Sequence, residues 1–201
     1  MLLPVRLGEM KKSYLFLAAF LFSFLFTAQS EPDQTQNMKA EFRDISQNFM
    51  SELKSVLMKN LKEGGPIQAI SVCADTAQQL TNLIGEQNGV QLSRVTLKER
   101  NPNDKPDEFE EEVLNMFHEK FDAEDLTSED DYFEVVQKDA VSYARYMQPL
   151  FVGGPCLTCH GDENKLSDEI KNLLSESYPN DKAVGYKAGD LRGAISITKE
   201  L

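Results

Sequence analysis

Tryptophan is missing from this chain of 201 residues, cysteine occurs three times and histidine twice. Three cysteines are too few for a disulfide-rich scaffold, and an odd number is awkward for simple pairing. Positive charge is scarce as well: 21 Lys and Arg face 33 Asp and Glu, for a formal net charge of −12. Arg6, Lys11 and Lys12 against Glu9 make the first thirty residues net +2, so the remainder carries −14. A chain of that sign is repelled by nucleic acid and by anionic membrane surfaces, which argues against both as partners. Beyond residue 30 no apolar run approaches the roughly 20 residues of a bilayer-spanning helix. Core-forming residues, by contrast, are plentiful. With 12 Phe, 6 Tyr and ample Leu, Ile and Val, the composition is that of a folded domain rather than a disordered chain, and the length fits one domain plus a tail.

The N-terminus has the layout of an export signal. Lys11 and Lys12 form a positive region, Tyr14 to Phe26 is apolar, and Thr27-Ala28-Gln29-Ser30 supplies small residues for cleavage near Ser30, so residues 1–30 are expected to be removed on export. Met10, just before the lysines, is an alternative start. The expected location of the mature protein is periplasmic or otherwise extracytoplasmic, without stable membrane insertion. Residues 31–37 are polar and read as a disordered linker, leaving a domain over residues 38–201.

Hydrophobic spacing then orders the elements. Phe42, Ile45, Phe49, Leu53, Val56 and Leu57 recur at helical intervals and predict an amphipathic helix ended by Gly64-Gly65. Pro66 is placed to open a second helix, whose stripe is Ile70, Cys73, Ala77, Leu80 and Ile84. Val90 to Leu97 alternates as a strand. An Asn/Pro-rich turn feeds an acidic helix from Pro106 to Phe121, and between Asn103 and Glu134 lie 14 acidic residues against Lys105 and Lys120. That stretch reads as a solvated face, with a docking patch for a basic redox partner as the other reading. Tyr132–Val136 and Val141–Leu150 predict a hairpin, Leu166–Ser175 a short helix, and Leu191–Thr198 a closing strand. The order suggests an α+β domain around an antiparallel sheet. A helical-bundle cytochrome is the alternative, and the strands argue against it.

Cys156-Leu157-Thr158-Cys159-His160 is CxxCH, the attachment signature of c-type haem. Two thiols at this spacing can add across the vinyl groups of one porphyrin, and the adjacent imidazole then serves as an iron ligand. A zinc site would want four ligands, with only Cys73 and His118 left to complete it. A thioredoxin-type motif should open a helix after a strand, whereas Gly153-Gly154-Pro155 precede this one. Export agrees with haem. The expectation is therefore one covalently attached haem c, held by Cys156 and Cys159, with His160 as proximal ligand. After His160 the chain contains no Met, His or Cys, so any second axial ligand lies upstream: Cys73, His118, Met116, Met147, another methionine, or none. By sequence physics alone Cys73, mid-stripe on an apolar helix face, reads as a buried structural cysteine.

Four segments in order make the chain resemble a family of periplasmic c-haem domains with a PAS-like fold, found alone and as the sensor portion of signalling proteins. They are Ala69-Ile70-Ser71-Val72-Cys73, the Arg100-Asn101-Pro102-Asn103 turn with Phe109-Glu110, Pro149-Leu150 leading into CLTCHG, and YPNDKAVGYKAGDLRGAISI from Tyr178 to Ile197. The resemblance spans Met38 to Leu201. It implies a PAS-like antiparallel sheet with N-terminal helices, and iron held by His160 and by Cys73. It also implies a redox- or gas-responsive haem protein, with NO, CO or O2, or a periplasmic redox partner, as what it meets. A soluble electron carrier is the alternative, favoured by the lack of an output segment before Leu201. An enzyme would need a positioned acid or base, and only His118 is left as a histidine, so no enzymatic activity is expected. Tyr186, Lys187 and Arg192 form a candidate haem-edge loop, and Arg94 and Arg145 are equally open as partners for haem propionates.

Overall fold

The computed structural model describes residues 34–71 and 76–201. The stretch read as an export signal and the Cys73 position lie outside the described residues. Helix α1 (Gln34–Ser71) begins inside the stretch read as a linker. After Pro32 that stretch holds no Pro or Gly, so nothing in it interrupts a helix that Phe42 and Phe49 anchor. The break expected at Gly64-Gly65 is present: Gly65 has φ 68° and ψ −166° ahead of Pro66, a conformation that glycine adopts without steric cost. Helix α2 (Ala77–Asn88) closes on Gly89 in the left-handed region, the usual chemistry of a helix C-terminus.

Strand β1 (Gln91–Val95), helix α3 (Glu108–Asp122), strands β2 (Tyr132–Lys138) and β3 (Val141–Phe151), the single turn α4 (Leu157–His160), helix α5 (Asp168–Ser177) and strand β4 (Leu191–Glu200) complete the chain. The sheet order is β1-β4-β3-β2, antiparallel throughout. The fold is thus α+β, and the helical-bundle alternative falls. The β2–β3 hairpin pairs Lys138 with Val141 around Asp139 and Ala140, both at positive φ, as a two-residue turn that follows sheet twist requires.

β4 is central, and its alternation sorts the core. Ile195 and Ile197 face α1 and α2, where Phe42, Phe49, Ile84, Ala144 and Tyr146 are fully or almost fully buried. Ala194 faces the other way, with Val95 and Met147, onto Val113, Leu114 and Phe117 of α3. Both faces of the middle of β4 are covered, and Ser196, buried on the α3 side, donates its hydroxyl to Glu110. Near the site, β3 ends in an irregularity at Leu150/Phe151, and Val152 is tied back by its N–H to Asp190 O (2.9 Å) and its O from Gly189 N (2.9 Å). A disrupted ladder at a strand end re-aims the chain that follows. Here the following chain is the CxxCH segment.

Candidate functional site

Gly153-Gly154-Pro155 carry the chain off the sheet into a 3-10 turn over Gly154–Cys156. α4 follows at once, and no disulfide joins Cys156 to Cys159. Such a helix is too short to hold itself; its neighbours hold it. Arg100, 8% exposed, reaches in from the turn after β1. Its Nη2 donates to Cys159 O (2.6 Å) and Ala183 O (3.3 Å), and its Nε donates to Asp181 Oδ2 (2.9 Å). The stretch Ala183–Tyr186 runs alongside, Gly185 N donating to Gly161 O (2.8 Å) and Tyr186 N to His160 O (2.9 Å). Beneath them Ile70, Leu166, Ile170 and Leu174 form a third apolar cluster, with Cys159 packed against it.

His160 Nδ1 lies 2.7 Å from Ala183 O. A carbonyl only accepts, so Nδ1 carries the proton, and in a neutral ring Nε2 is then the bare nitrogen with a lone pair to offer. Burial, helped by the positive field of Arg100 and Arg192, pushes the imidazole pKa down to about 3. The ring therefore stays neutral, which is the ligating form. Tyr186 meets it edge-on, with ring centroids 6.4 Å apart and planes at 83°.

His160 and Cys156 line a cleft of about 400 Å³ between the middle of α1 and the strand ends. Ligand sites commonly enclose roughly 300–1,000 Å³. Met50, Leu53 and Leu57 form one wall; Val95, Leu150 and Val152 contribute to the other. A smaller hollow of about 80 Å³ shares Leu57, Pro155, Cys156 and His160 and adds Leu61, Ile70, Cys159 and Leu174. The α1 stripe is fully buried at Phe42 and Phe49 but only half-buried at Leu53, Val56, Leu57 and Leu61. A helix that covers half its length with sheet and leaves the rest apolar over a cleft is shaped for an apolar occupant.

Of the cations considered, Arg94 and Arg192 line this cleft. Arg192 Nη1 donates to Thr96 Oγ1 (2.8 Å) and Lys98 O (3.1 Å), and its guanidinium lies 5.5 Å from the Tyr186 ring centre. Arg94 Nη2 is 3.6 Å from Asp104 Oδ1, while its buried Nε finds no hydrogen-bond partner among the described residues. Arg145 lies elsewhere, bound to Asp107 (2.9 Å) and near Glu110 (3.4 Å) on the α3 side, and Lys187 is exposed. Met147 is wholly buried beneath α3, Met116 packs on the same cluster, and His118 is half-buried on α3 and absent from the cleft lining. Among the described residues no group of three or more His, Cys, Asp or Glu is placed to hold a metal ion.

Two features of the site escaped the sequence reading: Arg100 as a clamp on the motif, and the Ala183 carbonyl that sets the imidazole tautomer. Arg100 stood out only as part of an Arg-Asn-Pro-Asn turn. The Ala183 contact is made by backbone, which no residue type announces.

No curated protein matches the chain. Among solved structures, the chain is similar to the crystal structure of the cyanobacterial haem protein Tll0287, at 28% identity and a TM-score of 0.57, covering 84% of this chain and 96% of that one. Among protein families, residues 28–199 match the Tll0287-like family. With so much of its length matched, the chain belongs to the Tll0287-like family.

Proposed function

We propose that this protein is an exported, mono-haem c-type cytochrome that works as a redox- or gas-responsive haem protein of sensor type rather than as an enzyme. One observation carries the reading: an imidazole fixed as neutral donor through Ala183 O stands beside two motif cysteines at an apolar cleft. The similarity to a haem protein supports the same cofactor. The residues present fit it. The half-buried Leu53, Leu57 and Leu61 suit a porphyrin face, and the partnerless Arg94 Nε suits a carboxylate edge. Cys156 and Cys159 would hold the haem through thioethers, and His160 would ligate the iron from one side. Cys73 is the proposed ligand from the other, on the strength of the sequence resemblance.

A bound haem supplies an iron that changes oxidation state or accepts a diatomic gas. The chain's own part is to position and exclude. Ala183 O and Tyr186 orient the His160 ring, Arg100 locks the motif backbone, and the leucines of α1 keep water from the imidazole. A Cys73 thiolate would favour the ferric state of that iron. The test is optical and electron paramagnetic resonance spectroscopy of the exported holoprotein beside Cys73→Ala. The wild type is expected to be low-spin with thiolate character, and its haem should survive acidified-acetone extraction. Extractable haem would overturn covalent attachment, and spectra identical to those of Cys73→Ala would overturn the ligand.

A soluble electron carrier is the second reading, favoured by the exposed carboxylates Glu108, Glu111, Glu112 and Glu119 along α3, which suit encounter with a basic periplasmic partner. Failure of the reduced protein to bind CO or NO would select it.

A further inference from the structure

We propose that Arg94 and Arg192 are the anchoring pair for the two carboxylates at the edge of the tetrapyrrole, an assignment that rests on the haem reading of the cleft. Four cations were open candidates from sequence, and their surroundings separate them. Arg145 has two carboxylates on it already, with Phe109 stacked at 4.3 Å. Lys187 is exposed in its loop. Arg94 and Arg192, from neighbouring strands β1 and β4, both line the cleft that His160 lines.

Charge balance separates them further. Arg192 is bonded through Nη1 to a hydroxyl and a carbonyl, which satisfy a proton without neutralising the charge. The carboxylate facing the pair is Asp104, from the turn after β1, 3.6 Å from Arg94. One carboxylate against two guanidiniums leaves a net positive charge half-buried, a costly arrangement unless an anion completes it. Among the described residues Arg94 and Arg145 each keep a buried Nε without a partner, and of the two only Arg94 lines the cleft. Guanidinium forks recognise carboxylates in two-point geometry, so a ligand with an apolar body and two carboxylates answers both the leucine wall and the arginines.

The experiment titrates the full chain, prepared without attached haem, with ferric protoporphyrin IX and separately with its dimethyl ester, following the Soret band. The wild type is expected to bind the diacid at least tenfold tighter than the ester. Arg94→Gln and Arg192→Gln should each lose most of that preference, Arg94→Lys and Arg192→Lys should regain part of it, and Arg145→Gln should leave it intact. Equal binding of diacid and ester by the wild type overturns the proposal whether or not any variant folds. So does a full wild-type preference in folded Arg→Gln variants, as judged by circular dichroism. A wild type that binds neither porphyrin overturns the haem reading itself, and the anchoring with it.

Discussion

Arg100 does the work of three ordinary contacts. It joins Asp181, Cys159 O and Ala183 O, and so couples both walls of the motif to the turn after β1. Removing one partner of a buried pair commonly costs about 3–5 kcal/mol. Arg100→Gln is therefore expected to lower unfolding free energy by roughly 3 kcal/mol, measured in urea, and to reduce haem loading of the purified protein. Arg100→Lys should recover little, because an ammonium cannot span three oxygens with fork geometry. Asp104 acts in the opposite sense on stability. Burial raises its carboxyl pKa, against the pull of Arg94 and Arg192. A folded-state pKa above the unfolded one means that stability falls as pH rises through that interval. Above the ordinary carboxyl pKa of about 4, the urea midpoint of protein without haem should therefore rise more with pH, or fall less, in Asp104→Asn than in the wild type. Identical pH slopes for the two proteins would contradict this.

Among the elements, α3 shows how a charge run can mislead. Its exposed glutamates are solvated, as the sequence suggests, but Asp107 and Glu110 belong to the fold. Asp107 Oδ1 accepts from Glu110 N (2.8 Å), Asp107 N donates to Glu110 Oε2 (2.8 Å), and the buried Ser196 Oγ donates to Glu110 Oε1 (2.6 Å). This capping box at the helix start also receives Arg145. Asp107→Ala should cost about 1–2 kcal/mol by urea unfolding, and Glu108→Ala, on the same turn but solvent-facing, within about 0.5 kcal/mol. The hydrophobic period placed most elements to within a few residues: the strand expected at Val90–Leu97 is Gln91–Val95, and that at Leu191–Thr198 extends to Glu200. Boundaries drifted where tertiary pairing decides. β4 gains its last residues because Thr198, Lys199 and Glu200 pair with Arg145, Ala144 and Tyr143. α1 gains Gln34–Asn37 because helix propagates outward from a packed core.

At the scale of the whole molecule, two apolar clusters sandwich the sheet and a third supports the motif. The strongly negative surface leaves local pairings to hold the acidic loop after α3. Asp130 accepts from Lys120 Nζ (2.8 Å), Thr127 N and Thr127 Oγ1; the Lys120 bond first and the threonine bonds next bring its carboxyl pKa down to about 2. A depressed folded-state pKa contributes stability above the unfolded value, and that contribution is lost as pH falls through the folded one. Asp130→Asn should thus destabilise at pH 7 by no more than about 1 kcal/mol, given its partial exposure. The gap to the wild type should close between about pH 4 and 2 in acid titrations followed by circular dichroism. A gap unchanged at pH 2 would overturn the pairing.

By itself the sequence determined the element order, the acidic character and the CxxCH motif, because periodicity, net charge and short-range spacing are properties of neighbouring residues. Only the tertiary structure decided which of Arg94, Arg145, Arg192 and Lys187 reach the cleft, and that Arg100 and the Ala183 carbonyl hold His160 and its motif. Those contacts join residues 23 to 96 positions apart, and composition carries no record of which distant groups meet. The physical reason is that buried donors and charges must find partners, and the partner available at each point is set by how the sheet, α1 and the loop after α5 fold together.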